Sequence, residues 1–237
     1  AGSGTNDTAH AVELTARAAD HGMDGVLVVS PYYNRPSQAG IEAHFRAVAA
    51  STDLPVVLYD VPARTGRAVS PEVVIRLAEQ VDNVVGLKDA GGQVTTTAKV
   101  VAATPDDFEV YAGDDALTLP MLAVGAVGVI SVCSHWSGAR MGEMVAAFRR
   151  GDVEEAARCN ASLLDSYDFV ASDEAPNPVP AKAMLRALGL PAGHCRPPHG
   201  PPGARPRGST PGTPGHPGTS GPGGGWERLA PWGSMGR

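Results

Sequence analysis

The chain has 237 residues and a formal net charge of −6, enough length to bury a substantial core. Charge is uneven, since residues 196–237 carry five Arg and one Glu while residues 1–195 hold 14 basic side chains against 24 acidic ones. An acidic body excludes nucleic acid and anionic membrane as expected partners; no apolar run approaches the roughly 20 residues of a bilayer span, and residues 1–8 lack the basic and apolar regions of a signal peptide.

In chain order, β-branched runs at 25–29 (GVLVV), 55–59 (PVVLY), 84–88 (VVGLK), 109–112 (EVYA) and 128–132 (GVISV) predict buried strands. Segments of helical period lie between them, such as Ile41, Phe45, Val48 and Ala49, or Val74, Leu77, Ala78 and Val81. Ser70-Pro71-Glu72 is a helix start: Ser caps the free amides, Pro tolerates the first helical position and Glu complements the dipole. The strand starts near 26, 55, 84, 109 and 128 are spaced as consecutive βα units of a parallel sheet.

After 132 only helical periodicity follows, at 139–149, 153–170 and 179–188. Five strands fit either an open doubly wound sheet or a (β/α)8 barrel that lacks its first units, and the opening Ala1-Gly2-Ser3-Gly4 reads as the end of a strand. The expected organisation is a partial barrel at 1–135, C-terminal helices at 136–195 and a tail at 196–237. That tail packs 12 Gly and 10 Pro into 42 positions and is expected to be disordered. Its Pro/Gly/Arg text resembles GC-rich coding sequence read out of frame. Cys133, Cys159 and Cys195 are odd in number and far apart, which predicts a reduced cytoplasmic setting with neither structural zinc nor a disulfide framework.

Lys88 is the most informative residue. Only three residues are Lys (Lys88, Lys99 and Lys182), and Lys88 ends an apolar strand. At the C-terminal end of a barrel strand, desolvation lowers a lysine toward the free amine that attacks carbonyls; the alternative is a strand-end lysine that reaches solvent or pairs with Asp89. Lys99 and Lys182 lie in helical stretches and read as solvated. Tyr32, Tyr33 and Tyr59 follow strands, either as proton relays or as amphipathic packing residues. Arg64, on the loop after the second strand, either holds a substrate carboxylate or faces solvent. Asp114 and Asp115 read as caps of a helix at 117–122. A dinucleotide fingerprint, a GxSxG elbow and paired metal-ligating His are not found in the sequence.

Six segments together resemble the dihydrodipicolinate synthase family of pyruvate-dependent lyases: PYYNRPSQ (31–38), LYDVPARTG (58–66), VVGLKDA (84–90), AGDD (112–115), GVISV (128–132) and PNPVPAK (176–182). They occur in the family's order and spacing from Ala1 to about Pro198. The resemblance implies an α/β (β/α)8 TIM barrel with C-terminal helices, in a cytoplasmic homotetramer. It implies a Schiff-base lyase that condenses pyruvate with aspartate semialdehyde to 4-hydroxy-tetrahydrodipicolinate, toward diaminopimelate and lysine, with no metal and no organic cofactor.

Carried over by position, Lys88 is the Schiff-base lysine, Tyr59 the proton relay beside it, and Ile130 a backbone contact to pyruvate. Tyr33 is the tyrosine lent to a neighbouring subunit, and Arg64 holds the semialdehyde carboxylate. Asn6 and Tyr32 match positions that bind feedback lysine in some members, where His10 replaces a glutamate. The family's Gly-Thr-Thr-Gly-Glu motif has no counterpart from Ala1 onward, so this chain by itself is expected to be impaired. The remaining readings are another pyruvate-dependent aldolase, of the sugar-acid or N-acetylneuraminate lyase type, which Arg64 disfavours, and a non-catalytic fragment.

Overall fold

The computed structural model describes residues 1–171 and 175–199. The elements are α1 (Thr8–Asp20), β1 (Val26–Val29), α2 (Gln38–Ala49), β2 (Val56–Asp60), the short α3 (Pro62–Thr65), α4 (Pro71–Gln80), β3 (Val84–Asp89), α5 (Val94–Ala103) and β4 (Glu109–Ala112). A 3-10 turn (Asp115–Leu117), α6 (Thr118–Ala123), β5 (Gly128–Val129), α7 (Ser134–Arg149), α8 (Val153–Ala161), α9 (Leu164–Val170) and α10 (Val179–Ala187) complete the order. Local chemistry sets several of these starts. Asp7 accepts from the His10 amide at 2.7 Å to open α1, Ser37 accepts from Gly40 at 3.1 Å to open α2, and Ser70, followed by Pro71, accepts from Val73 at 3.4 Å to open α4.

All strands are parallel and lie in chain order, β1-β2-β3-β4-β5. Strand followed by helix, repeated with adjacent neighbours, is the repeating unit of a (β/α)8 barrel, of which five of about eight strands stand among the described residues. The start of the chain adds a trace of one more strand: Gly2 bridges Leu27 in parallel, Leu27 donates to the Ala1 carbonyl at 2.7 Å, and Ser3 donates to Leu27 at 3.2 Å. A register shift between Val56 and Val57 pairs Val57 with Gly86. Gly86 is required there, because a Cβ would stand 2.5 Å from the Glu109 carbonyl oxygen of β4.

The two faces of the sheet differ. Val26, Val28, Val56, Leu58, Leu87 and Val110 are buried against Ile41, Phe45 and Val48 of α2, Val73, Val74 and Leu77 of α4, and Val100 of α5, all in one apolar cluster. Their alternates on the strands, Leu27, Val29, Val57, Tyr59, Val85, Lys88 and Tyr111, are only half-buried. In a closed barrel this second face fills the interior.

The chain divides into two compact units, with the boundary in sequence between Leu164 and Asp165. The first contains the sheet. In the second, Tyr167, Ala181 and Met184 are buried, Lys182 donates to the His194 carbonyl at 2.9 Å and Arg186 to that of Gly193 at 2.8 Å. Of the tail expected at 196–237, residues 200–237 lie outside the described residues. Among the described residues no helix is long and apolar enough to cross a membrane.

Three expectations need correction. The helix expected at 153–170 is two, α8 and α9, separated at Ser162 and Leu163; Ser162 turns its hydroxyl back onto the Cys159 carbonyl at 2.7 Å, competing with the helix ladder. The helix expected from 139 begins earlier, at Ser134, and carries non-helical φ/ψ at Ser137. The strand expected at 128–132 ends at Val129, because the amides of Val132 and Cys133 are taken by the Asp115 carboxylate instead of a strand neighbour.

Candidate active site

Lys88 and Tyr59 are register partners on β3 and β2. The Lys88 Nζ stands 4.3 Å from the centroid of the Tyr59 ring. Both side chains occupy the half-buried face near the C-terminal ends of their strands. Burial pulls the Lys88 amine below its usual range, opposed by the charge of Asp115, and burial pushes the Tyr59 phenol up, opposed by Arg64. The two shifts have one cause and complementary results: an amine drawn toward its neutral, nucleophilic form beside a phenol that keeps its proton.

Arg64 is exposed on α3, one turn beyond β2. The Arg64-Thr65-Gly66 turn closes because Gly66 takes φ 80° as the helix cap, donating to the Pro62 carbonyl at 2.8 Å. Thr65 is buried and donates to the Arg67 carbonyl at 3.0 Å. Ile130 lies just past β5, its amide donating to the Ala112 carbonyl of β4 at 2.9 Å. Lys88, Tyr59, Arg64 and Ile130 are thus all carried at or just beyond the C-terminal ends of strands, where barrel active sites form.

Tyr33 is not packed with these residues. It is 89% exposed and, like Arg35, adopts a positive φ, 74° for Tyr33, a conformation that costs a non-glycine residue on the order of 1 kcal/mol. Asn6 and Tyr32 are brought together through Asn34, whose side chain donates to the Asn6 carbonyl and whose amide donates to that of Tyr32, both at 2.9 Å. His10 is exposed on the first turn of α1.

Three of four acids near the strand ends take roles that their place in the sequence does not show. Asp114 does cap, accepting from Ala116 at 3.0 Å. Asp115 does not: it is 6% exposed, and its Oδ2 accepts from Val132 at 3.1 Å and Cys133 at 2.8 Å. Behind Tyr59 and Lys88, on the helix-covered face, Asp60 and Asp89 line a cavity of about 260 Å³ with Gln38, Ser70 and Gln93. Asp89 accepts from Gly91 at 2.8 Å and from Thr97 at 2.7 Å. Asp60 is pushed up to about 7 by burial and by the Asp89 charge, against the Val69 amide that it accepts. The only sequence signal for either acid was its place next to a strand-end Tyr or Lys. Among the described residues no three metal-ligating side chains gather.

The model of the dihydrodipicolinate synthetase family matches residues 1–207. A 4-hydroxy-tetrahydrodipicolinate synthase of Listeria monocytogenes is 48% identical over 197 residues, covering 83% of this chain and 66% of that protein. The chain therefore spans about two thirds of the length of the curated relatives it matches. A solved dihydrodipicolinate synthase of Bacillus anthracis superposes with a TM-score of 0.81 at 46% identity, over 84% of this chain and 68% of that one. One from Cyanidioschyzon merolae, solved with lysine bound, gives 0.79 at 47% identity over 83% and 66%. The fold is accordingly α/β, part of the barrel of these relatives. With the family match running across every strand of the sheet and through Lys88, this chain belongs to the dihydrodipicolinate synthetase family.

Proposed function

We propose that the chain carries the Schiff-base lyase chemistry of its family, condensing pyruvate with aspartate semialdehyde to 4-hydroxy-tetrahydrodipicolinate. The observation that supports it most is the desolvated Lys88 amine 4.3 Å from the Tyr59 ring. The neutral amine adds to the pyruvate ketone and water leaves, forming an imine. Protonated, this imine is an electron sink, so a methyl proton is lost and an enamine results. Tyr59, whose ring lies against the Lys88 amine, moves protons at that centre. The enamine carbon attacks the aldehyde of the second substrate. Its amine then adds to the imine carbon, which expels Lys88 and closes the ring, with no metal or organic cofactor needed for any step.

Arg64 holds the carboxylate of the semialdehyde, and the Ile130 backbone contacts the bound pyruvate. The exposed, left-handed Tyr33 has the geometry of a side chain held out for a second copy of the chain, which favours a homo-oligomer, a tetramer in the complete assembly. Asn6 and Tyr32, joined by Asn34, stand where some members of the family bind feedback lysine, with His10 in place of the glutamate that some of them use there. A cytoplasmic setting follows from the reaction and the reduced cysteines.

A single-turnover assay, with protein in excess over aldehyde, tests this reading without requiring fast turnover. Mass spectrometry should find the cyclic product from pyruvate with aspartate semialdehyde and none from pyruvate with N-acetylmannosamine. Product from the amino sugar alone would transfer the chain to the sister aldolases, and product from neither would reject a condensing enzyme.

A further inference from the structure

The ends of β3, β4 and β5 are tied together at one point. Lys88 is the register partner of Tyr111 on β4, Gly113 donates to the Asp89 carbonyl at 2.7 Å, and Ile130 donates to Ala112 at 2.9 Å. Asp115 follows β4 by three residues and reaches across to the turn after β5, where its Oδ2 takes the amides of both Val132 and Cys133. Its Oδ1 is buried and receives no hydrogen bond. A carboxylate so placed is costly unless positive charge or donors face it, and two backbone amides satisfy only one of its oxygens.

We propose that Asp115 is a positioning residue for the Lys88 site, its carboxylate fixing the 130–133 turn with Oδ2 and acting through its charge on the Lys88 amine. The idea rests on Lys88 being the reacting amine. Two roles are joined in one side chain. The clamp ends β5 at Val129 and so fixes the direction in which the Ile130 backbone faces. The charge works against desolvation at Lys88 and raises the amine that burial lowers; an imine must be protonated to act as an electron sink, so this matters after condensation as well as before.

The other groups around Lys88 do not supply that charge. Tyr59 from β2 and Tyr111 from β4 are both pushed up, the former by burial and the latter, to about 12, by its hydrogen bond to Glu109. The Cys133 thiol is pushed up by burial and then by Asp115 itself. Arg64 contributes a positive charge near Tyr59, and Asp114 is exposed and engaged as a cap.

With three lysines in the chain, reductive ¹³C-methylation gives a spectrum simple enough to titrate Lys88 by itself, assigned by Lys88→Ala. In Asp115→Asn, which keeps the shape and an acceptor, the Lys88 midpoint should fall by about one pH unit, while the Lys99 and Lys182 curves coincide with those of the unaltered chain. Amide exchange at Val132 and Cys133 should be slow in the unaltered chain and at least about tenfold faster in Asp115→Ala. A Lys88 midpoint that does not move, or rises, in Asp115→Asn would overturn the electrostatic role. Rapid exchange at both amides in the unaltered chain would overturn the clamp, even if neither variant folds. Neither readout uses pyruvate, so loss of imine chemistry at Lys88 would show separately as the failure of the proposed function.

Discussion

The two faces of the same five strands behave as different materials. On the helix-covered face, Val28, Val56, Leu58 and Val110 are at most 1% exposed and lock against Ile41, Phe45, Val73 and Leu77. On the other face Val57, Tyr59, Val85 and Lys88 stay half-buried. Alternation along a strand allows this division, since neighbouring residues point to opposite sides. The packed face holds the strands in register, and the looser one can then carry groups whose solvation is poorly matched to their charge. Chemistry is placed where packing is incomplete, on a frame that packing elsewhere has made rigid.

The two faces should differ most in what a truncated side chain costs. Phe45→Ala should cost about 3–5 kcal/mol of stability, as expected for emptying a fully buried aromatic site. Val57→Ala, on the half-buried face, should cost about 1 kcal/mol. Chemical denaturation of both variants measures the difference, and equal losses would mean that the two faces are not energetically distinct.

Arg64→Ala should leave pyruvate condensation intact and weaken use of aspartate semialdehyde by about 1.5–3 kcal/mol, the worth of a charge-assisted pair. Arg64 is exposed, so the fold should not suffer. Unchanged aldehyde kinetics would remove it from the substrate site.

Asp60 sharpens the contrast from behind the site. Its folded pKa, pushed up to about 7, lies above the ordinary carboxylate value of 3.8. Between those values the folded chain keeps a proton that the unfolded chain releases, so stability is greatest at low pH in this window and falls as pH rises through it. Asp60→Asn should flatten that slope and be the more stable protein at pH 8 by about 1–2 kcal/mol. Parallel pH profiles for the two proteins would show that Asp60 does not hold the proton.

Much of this was legible in sequence because it is written locally. The β-branched runs ending in Tyr59 and Lys88 mark strands whose last residues share one side of the sheet, and Ser70-Pro71 marks the start of α4. Asp115 was illegible for a physical reason: its partners are 17 and 18 residues away, reached only when β4 and β5 lie side by side. Read alone, Asp114-Asp115 looks like a pair of caps, and only the first is one. The shortened β5 has the same origin, since nothing in Val-Ile-Ser-Val shows that a carboxylate takes its last amides. The break between α8 and α9 was missed because helical periodicity passes through Ser162 without interruption, although its hydroxyl does not.

The smallest expected effect concerns Tyr33. Tyr33→Asn replaces a side chain that is 89% exposed and has φ 74° by a residue that tolerates the left-handed region, so stability should hold or rise by about 0.5–1 kcal/mol. Turnover should fall if the tyrosine serves a neighbouring copy. Stability that drops instead would show that Tyr33 has a packing role within its own chain.

Borohydride trapping with peptide mapping shows whether Lys88 forms an imine with pyruvate. Hydride converts an imine, and not a merely bound ketone, into a stable secondary amine on the protein. A pyruvate-derived adduct should appear on the peptide containing Lys88, with none on those containing Lys99 or Lys182, and none in Lys88→Ala or in Lys88→Arg, whose guanidinium offers no nucleophilic lone pair. Adduct on another lysine, or an undiminished yield from Lys88→Arg, would contradict imine formation at Lys88.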